Sequence, residues 1–168
     1  PSPPRYGSLE RPLPDPLARA LERFGIEGLY SHQVQAINLA RRDRHVVVAT
    51  GTASGKTLCY VLPTLQALLA DPSARALYLF PTKALAQDQV VELGRWQDTL
   101  GAPIGAATYD GDTPPSARSR TRKTARVIVS NPDMLHTGIL PHHTNWAAFF
   151  EGLRLVVLDE MHTYRGVF

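Results

Sequence analysis

Five short apolar runs, separated by amphipathic stretches, constrain the fold of this 168-residue chain more than any other feature. The runs are Val46–Ala49, Ala76–Phe80, Ile104–Thr108, Val127–Ser130 and Leu153–Leu158. Most are apolar with almost no alternation, which is typical of strands that are covered on both faces. Leucines at helical spacing over Lys56–Leu69 and Lys83–Leu100 complete a strand–helix alternation. The pattern predicts the α/β class, with a parallel sheet and helices on both of its faces.

The first sixteen residues hold six of the fourteen prolines. Proline fixes φ and lacks a backbone donor, so we expect Pro1–Pro14 to be extended and poorly packed. Asp15-Pro16 predicts a helix N-cap followed by proline at the first helical position, and Gly25 ends the helix predicted over Pro16–Phe24. A second helix is expected after Ser31. The predicted organisation is an extended proline-rich segment over 1–15, followed by one domain over 16–168.

The composition excludes several classes of protein. Apolar residues make up 43% of the chain, which argues against wholesale disorder. A single cysteine, Cys59, excludes an internal disulfide and a multi-cysteine zinc site, and it favours a reducing, cytoplasmic compartment. No apolar run approaches the roughly 20 residues of a membrane span, and 1–16 lacks the apolar core of a secretory signal. We therefore expect a cytoplasmic protein without a membrane partner.

The net charge of +3 conceals one cationic stretch. Between Arg118 and Arg126 the chain has five basic residues and no acidic one. Two interpretations are open, a nucleic-acid clamp and a solvated helix face that leads into the strand at Val127. The second is the commoner role of such a run, and we expect it here.

A phosphate-binding loop is predicted between the first of the five runs and the following helix. Its residues are Thr50, Gly51, Thr52, Ala53, Ser54, Gly55, Lys56 and Thr57. Small residues let backbone N–H groups converge on a polyphosphate, and the helix N-terminus adds a favourable dipole. Lys56 is predicted to bind the β- and γ-phosphates, and the Thr57 hydroxyl to bind Mg²⁺. The strict pattern G-x-x-x-x-G-K-[ST] requires glycine at position 50. This chain has Thr50 there, and its first glycine is one position later, at Gly51.

The last apolar run ends directly in two carboxylates, Asp159 and Glu160. Two acids at the end of a buried strand are costly unless cations lie beside them, and Lys56 and Mg²⁺ are predicted at the same edge of the sheet. We expect Asp159 to hold Mg²⁺ through water and Glu160 to polarise the attacking water, so that Glu160, Lys56 and Asp159 form the catalytic set. His162 is predicted to sense the bound nucleotide. A solvated turn is the alternative for the acidic pair taken alone.

Together, Thr50–Thr57 and Asp159-Glu160-Met161-His162 resemble motifs I and II of the superfamily 2 helicases, in their DExH form. Four further stretches resemble the Q-motif region, motif Ia, motif Ib and the motif after it, in that order: Ser31-His32-Gln33, Pro81–Gln89, Tyr109–Thr113 and Ser130–Leu135. The sequence of His162–Phe168 most resembles that of the Hrq-type helicases and their bacterial mitomycin-repair relatives, and next that of the Lhr type. The resemblance implies a RecA-like P-loop domain that uses ATP and Mg²⁺. It also implies that Gln33 reads the adenine edge.

Three of these motifs contact the sugar-phosphate backbone of one nucleic-acid strand in the family. The positions carried over are Thr82, Lys83, Gly111, Ser130, Asn131 and Pro132. Hydroxyls, backbone N–H groups and a lysine suit phosphate contacts without base readout. Gly111 is preferred over the aspartates on either side of it, because these would repel phosphate. Helix capping is the alternative role for Thr82 and Asn131, and the two roles are compatible.

The family pattern continues beyond the last residue of this sequence, which ends six residues after His162. A Ser-Ala-Thr motif, a second RecA-like domain with an arginine finger and a C-terminal zinc domain follow in the relatives. The resemblance therefore implies the ATP-binding first motor domain of an ATP-dependent DNA helicase, moving 3′-to-5′ and acting in DNA repair. Its expected partners are single-stranded nucleic acid, with DNA favoured, and the second and C-terminal domains. The alternatives are an RNA helicase or remodeller motor and a non-catalytic, nucleotide-gated binding module.

Overall fold

The computed structural model describes residues 5–51 and 54–164. The chain divides into two compact units, residues 1–70 and 71–168. In the first unit, β1 (Tyr6–Gly7) pairs antiparallel with β2 (Leu29–Tyr30). Its helices are α1 (Asp15–Arg23), α2 (Ser31–Ala40) and α3 (Thr57–Ala70), and both α1 and α2 pack against α3. The helices expected over Pro16–Phe24 and after Ser31 are present within one residue of their predicted starts.

From Arg5 onward the proline-rich segment makes polar contacts with the rest of the first unit, although none of residues 5–14 is buried. It contributes β1, and the backbone carbonyls of Arg11 and Pro12 accept hydrogen bonds from the guanidinium of Arg41, the C-cap residue of α2. An ion pair of 2.6 Å joins Glu10 to Arg42. Extended backbone lacks internal hydrogen bonds, so its free carbonyls suit a guanidinium donor.

Two further expectations for the first unit need correction. Pro14 is the N-cap of α1 and Asp15 is already helical, without a side-chain capping bond. Among the described residues, no strand is assigned over 46–49, where Val47 is 83% exposed. A strand requires a partner for its backbone groups, and apolar composition alone does not supply one. The prediction that Gly25 ends α1 is confirmed, since its φ of +70° suits a residue without Cβ.

The second unit is built on a four-stranded sheet in the order β4-β5-β3-β6. The strands are β3 (Arg75–Leu79), β4 (Ala106–Thr108), β5 (Val127–Ser130) and β6 (Leu153–Leu158), and all three pairings are parallel. The predicted parallel sheet is therefore confirmed. Because parallel strands end at the same edge, the residues that follow all four strands lie along one border of the sheet.

Helices and short helical turns connect these strands, and one further turn follows β6. They are α4 (Lys83–Leu100), α5 (Pro115–Thr124), α6 (Pro132–Met134), a π-helical turn over Leu135–Ile139, a 3₁₀ segment over Leu140–Trp146, α7 (Ala147–Glu151) and a 3₁₀ turn over Met161–Tyr164. The bounds of α4 match the prediction. The first part of the cationic stretch, Arg118–Lys123, lies in α5, none of whose residues is buried, as expected for a solvated helix face.

Both faces of β5, one of the two inner strands, are covered. All four of its residues are buried, although consecutive residues point to opposite faces. Ile128 packs in a cluster with Trp146 and Phe149, and the rings of these two aromatics meet edge to face at 5.6 Å between centroids. The helix α4 packs against β4 and β5 and buries Trp96. Trp96 and Trp146 thus have packing roles, and burial of the Cys59 side chain in the first unit places it in the core as well.

Two glycines of the second unit provide a matched test of this packing. A Cβ at Gly152, just before β6, would overlap the carbonyl oxygen of Ser73, whereas a Cβ at Gly94 in α4 would meet no atom within 4 Å. We predict that Gly152→Ala lowers the free energy of unfolding by about 1–3 kcal/mol through overpacking. Gly94→Ala should raise it by about 0.5–1 kcal/mol, because alanine restricts the unfolded chain and favours helix. Urea unfolding of both variants checks this, and a stabilised Gly152→Ala variant would contradict it.

Candidate active site and nucleic-acid interface

The predicted phosphate loop is tied to α2 through Gln33. This side chain is only 2% exposed. Its Nε2 donates to the backbone carbonyl of Gly55 at 2.8 Å, and its Oε1 accepts from the Tyr30 N–H at 2.8 Å. Gly55 has φ +73°, and a Cβ there would lie 2.6 Å from Gln33 Nε2. Only glycine combines that backbone conformation with so close an approach.

Lys56 and Thr57 follow at the start of α3. The Lys56 ammonium donates to the Thr50 carbonyl at 3.3 Å, a long hydrogen bond within its own loop. The hydroxyls of Thr50 and Ser54 are 2.6 Å apart, so they bond to each other. Thr57 is the first residue of α3, where its hydroxyl stands at the helix N-terminus. Thr52 and Ala53, also predicted in this loop, lie outside the described residues.

The predicted acidic pair forms a tight turn after β6. Glu160 adopts φ +51°, a left-handed conformation that is uncommon for a residue with a Cβ. Its N–H donates to Asp159 Oδ1 at 2.8 Å, and its carbonyl accepts from the N–H and hydroxyl of Thr163 at 2.9 and 2.8 Å. His162 Nδ1 lies 3.2 Å from Glu160 Oε2, so the predicted nucleotide sensor touches the predicted base. Local hydrogen bonds thus hold a conformation that the backbone alone disfavours.

Tyr164 adds a support that the sequence reading did not identify. Its hydroxyl donates to the carbonyl of Asp159 at 3.0 Å and lies 3.4 Å from that of Leu79, the last residue of β3. The Asp159 N–H donates to the same Leu79 carbonyl at 3.0 Å. Tyr164 therefore links the ends of β6 and β3.

The predicted joining of Lys56 with Asp159 and Glu160 involves both units, and it stays a prediction. The residues proposed for Mg²⁺, Thr57 and Asp159, offer a hydroxyl and a carboxylate. Hard oxygen donors of this kind suit Mg²⁺, which commonly uses one or two protein ligands and completes its shell with water and phosphate oxygens. Among the described residues, no cluster of three or more His, Cys, Asp or Glu side chains is placed to hold a metal by itself. The donor set therefore fits a cation shared with a nucleotide.

The predicted nucleic-acid residues follow β3, β4 and β5 along one border of the second unit. Thr82 caps α4 by accepting from the Leu85 N–H at 3.3 Å, and Asn131 caps α6, which begins at Pro132, by accepting from the Met134 N–H at 2.8 Å. The capping role that we considered as an alternative is therefore present at both positions. It leaves the phosphate role untested.

A polar network joins two of the loops that carry these residues. Lys83 forms an ion pair with Asp112, whose hydrogen bond raises the pKa of the Lys83 ammonium. The Asp112 N–H donates to Asp110 Oδ1 at 2.9 Å, so Gly111 lies within a closed turn. The expectation that the aspartates only repel phosphate overlooked this pairing with Lys83, which a pattern of single residues does not reveal.

The hydroxyl of buried Ser130 donates to the Tyr109 carbonyl. This bond connects the end of β5 with the loop after β4. The structure thus brings Ser130 next to the predicted Gly111 turn. Because the Ser130 hydroxyl is bonded within the protein, its role in this conformation is to hold the loop after β4 against the end of β5.

We predict that Tyr164 ionises later than a tyrosine in water. Burial raises its pKa, and so do the negative charges of Asp159 and Glu160. A raised pKa means that the neutral hydroxyl contributes stability that is complete below about pH 10 and is lost as the pH rises through the folded-state pKa. Tyr164→Phe should remove one step of delayed ionisation from an ultraviolet titration of the folded chain. Tyr6→Phe, at a ring that is 62% exposed, is the control and should leave that step in place.

Within the part of the chain that the structure describes, no helix is both long and apolar enough to cross a bilayer.

Comparison with known proteins identifies the family. The family model described as DEAD/DEAH box helicase matches residues 30–168. The ATP-dependent helicase YprA of Bacillus subtilis is 52% identical over 162 residues, which are 94% of this chain and 22% of YprA. The ATP-dependent helicase HRQ1 of Saccharomyces cerevisiae is 49% identical over 146 residues, 84% of this chain and 13% of HRQ1. The chain therefore spans less than a quarter of the length of these relatives.

Solved structures agree with this assignment. The DUF1998 helicase MrfA, in a crystal structure bound to DNA and AMPPNP, matches with a TM-score of 0.93 at 48% identity, over 97% of this chain and 23% of MrfA. The DEAD-box helicase Mss116, bound to ssRNA and UDP-BeF, matches with a TM-score of 0.76 at 22% identity, over 95% of this chain and 34% of that one. The second likeness supports the fold alone and confirms the predicted RecA-like class. The chain belongs to the DEAD/DEAH box helicases, and within superfamily 2 it is close to the Hrq-type helicases.

Proposed function

We propose that this chain is the ATP-binding first motor domain of an ATP-dependent DNA helicase. The observation that carries the proposal is the loop held by Gln33. A buried amide fixes the Gly55 carbonyl, and Lys56 and Thr57 follow directly at a helix N-terminus. With its carbonyl turned to Gln33, the loop can direct backbone N–H groups toward a polyphosphate. The MrfA structure with bound AMPPNP supports a nucleotide as the ligand of this loop.

Lys56 would bind the β- and γ-phosphates. Its bond to the Thr50 carbonyl is long, at 3.3 Å, and pairs the cation with a neutral oxygen. A phosphate oxygen is the stronger partner because the bond is then assisted by charge on both sides. Gln33 would reach the adenine edge with the hydrogen-bonding capacity that its bonds to Tyr30 and Gly55 leave. The remaining loop residues, Thr50, Gly51, Thr52, Ala53 and Ser54, would line the phosphates.

Hydrolysis would use the turn after β6. Thr57 and Asp159 would hold Mg²⁺, which when bound supplies positive charge that neutralises the phosphates. Glu160 would orient and polarise the water for in-line attack on the γ-phosphate. His162 touches Glu160 at 3.2 Å, and through this contact it would pass the nucleotide state to neighbouring elements. The hydrogen bonds around Glu160 support the assignment, since a base must be held in one orientation.

The border that follows β3, β4 and β5 would bind one strand of DNA. The proposed contacts are Thr82, Lys83, Gly111, Ser130, Asn131 and Pro132. DNA is favoured over RNA because MrfA was solved with DNA at 48% identity, and a relative at 32% identity is named an ATP-dependent DNA helicase, Hel308 of Thermococcus kodakarensis. Travel in the 3′-to-5′ direction, a role in DNA repair, a cytoplasmic location, and partnership with a second RecA-like domain and a C-terminal domain complete the proposal.

Two variants of the full-length protein test the nucleotide site. We predict that Glu160→Gln lowers ATP turnover by about 10²–10⁴-fold while nucleotide affinity is kept, because the amide removes the general base and no phosphate contact. Lys56→Ala should instead lose nucleotide affinity. Turnover by phosphate release and affinity by a fluorescent ATP analogue separate the two effects. Glu27→Gln, at an exposed carboxylate away from the predicted motifs, is the control and should behave like the parent.

If Glu160→Gln binds nucleotide and turns it over at the rate of the parent, the proposed enzymatic role is wrong. That result would favour a non-catalytic, nucleotide-gated binding module. Competition between DNA and RNA for the full-length protein decides the nucleic acid. A preference for RNA would favour an RNA helicase or remodeller built on the same motor.

A further inference from the structure

The helix α5 has an unusual surface for an element of a folded domain. None of its ten residues is buried. A helix that is polar all round gains little from packing, which is the main source of helix stability in proteins. What holds α5 in place must therefore be sought in polar contacts at its ends or in a partner.

The charges of α5 oppose one another. Arg118 and Arg122 are spaced i,i+4, and Arg120 and Lys123 are spaced i,i+3, so like charges are neighbours on the helix surface. No acidic residue occurs between Asp112 and Asp133. Among the residues that the structure describes, no ion pair involves Arg120, Arg122 or Lys123. An ordinary solvated helix carries mixed charges that pair, and this one lacks the acids.

Arg118 anchors the first turn of α5 to the loop after β4. Its Nε donates to the Thr113 carbonyl at 3.0 Å, and its guanidinium lies 5.8 Å from the centroid of the Tyr109 ring. The Tyr109 ring is buried and packs edge to face on Trp146 at 4.7 Å. The hydroxyl of Thr113 accepts from the Asp110 N–H at 2.9 Å. The helix is thereby fixed to the turn that presents Gly111.

Arg120 and Lys123 are both exposed. Residues at this spacing have Cβ atoms about 5–6 Å apart, one helical turn along the surface. We propose that these two side chains, the α5 cationic face, bind the phosphates of a DNA strand and extend the strand's path beyond the Gly111 turn. The inference rests on the proposed function, because it assumes that the turn itself meets DNA. A polyanion at this face would offset the like-charge repulsion that the helix otherwise bears.

The test uses the full-length protein and the double variant Arg120→Gln/Lys123→Gln. Affinity for fluorescent single-stranded DNA is measured by anisotropy over a range of salt concentrations. Each lost phosphate contact should reduce the slope of log K against log salt by about 0.7, so the double variant should lose up to about 1.4 and bind on the order of tenfold more weakly at low salt. Arg120→Lys/Lys123→Arg keeps both charges and should retain the slope.

The matched control is Arg19→Gln/Arg44→Gln, which removes two exposed cations that lie outside α5. Its slope should equal that of the parent. If the double variant of α5 matches this control while the parent binds DNA, the α5 cationic face is not a DNA contact, and the proposed function stands. If the parent itself does not bind DNA, the nucleic-acid part of the proposed function fails. A double variant that binds an acidic peptide more weakly but keeps its DNA slope would also overturn the inference.

The single variants keep the test decisive if the double variant melts at a lower temperature than the parent. Arg120→Gln and Lys123→Gln, each measured alone, should each reduce the slope by about half as much as the double variant does. Slopes equal to that of the parent in both would overturn the inference.

Discussion

Parallel pairing of β3, β4, β5 and β6 is the constraint on which the second unit depends. Because all four strands run the same way, the chain leaves the sheet at one border after each of them. A group of candidate residues follows the end of each strand: Thr82 and Lys83, the Gly111 turn, Asn131 and Asp159. Strand direction alone therefore places residues that are far apart in sequence along the same border. The chemistry of this border is therefore a consequence of strand direction, and the loops only select which groups stand there.

Two tight backbone conformations show how the fold holds chemical groups in place. Gly55 is held at positive φ by a buried glutamine, and Glu160 is held at positive φ by Asp159 and Thr163. In the first case the chain uses glycine and avoids strain. In the second it keeps a carboxylate at a costly conformation and compensates with hydrogen bonds. A conformation of this kind at Glu160 supports the role proposed for its carboxylate.

Prediction from sequence succeeded where a signal is local and repeated. The leucine spacing of α4 and the apolar runs of β3, β5 and β6 depend on burial that a few neighbouring residues already encode. It failed where the outcome depends on a partner distant in the chain. Val46–Ala49 has the composition of a strand, but among the described residues it pairs with no other strand.

The same distinction applies to the candidate site. The Gly-Lys-Thr and Asp-Glu motifs were visible because their residue types are adjacent. The supports of Gln33 on Gly55, Tyr164 on β3 and Lys83 on Asp112 join positions 22, 85 and 29 residues apart, and no short pattern signals them.

The ion pair between Lys83 and Asp112 has a consequence for any anion that approaches this border. A lysine that already holds a carboxylate exchanges one negative partner for another when a second anion arrives, and the displaced aspartate must return to water. The net gain in binding free energy is smaller than for an isolated ammonium. The carboxylate of Asp112 also stays close enough to pair with Lys83 again when the anion leaves. Such an exchange favours contacts with the anion that form and break readily.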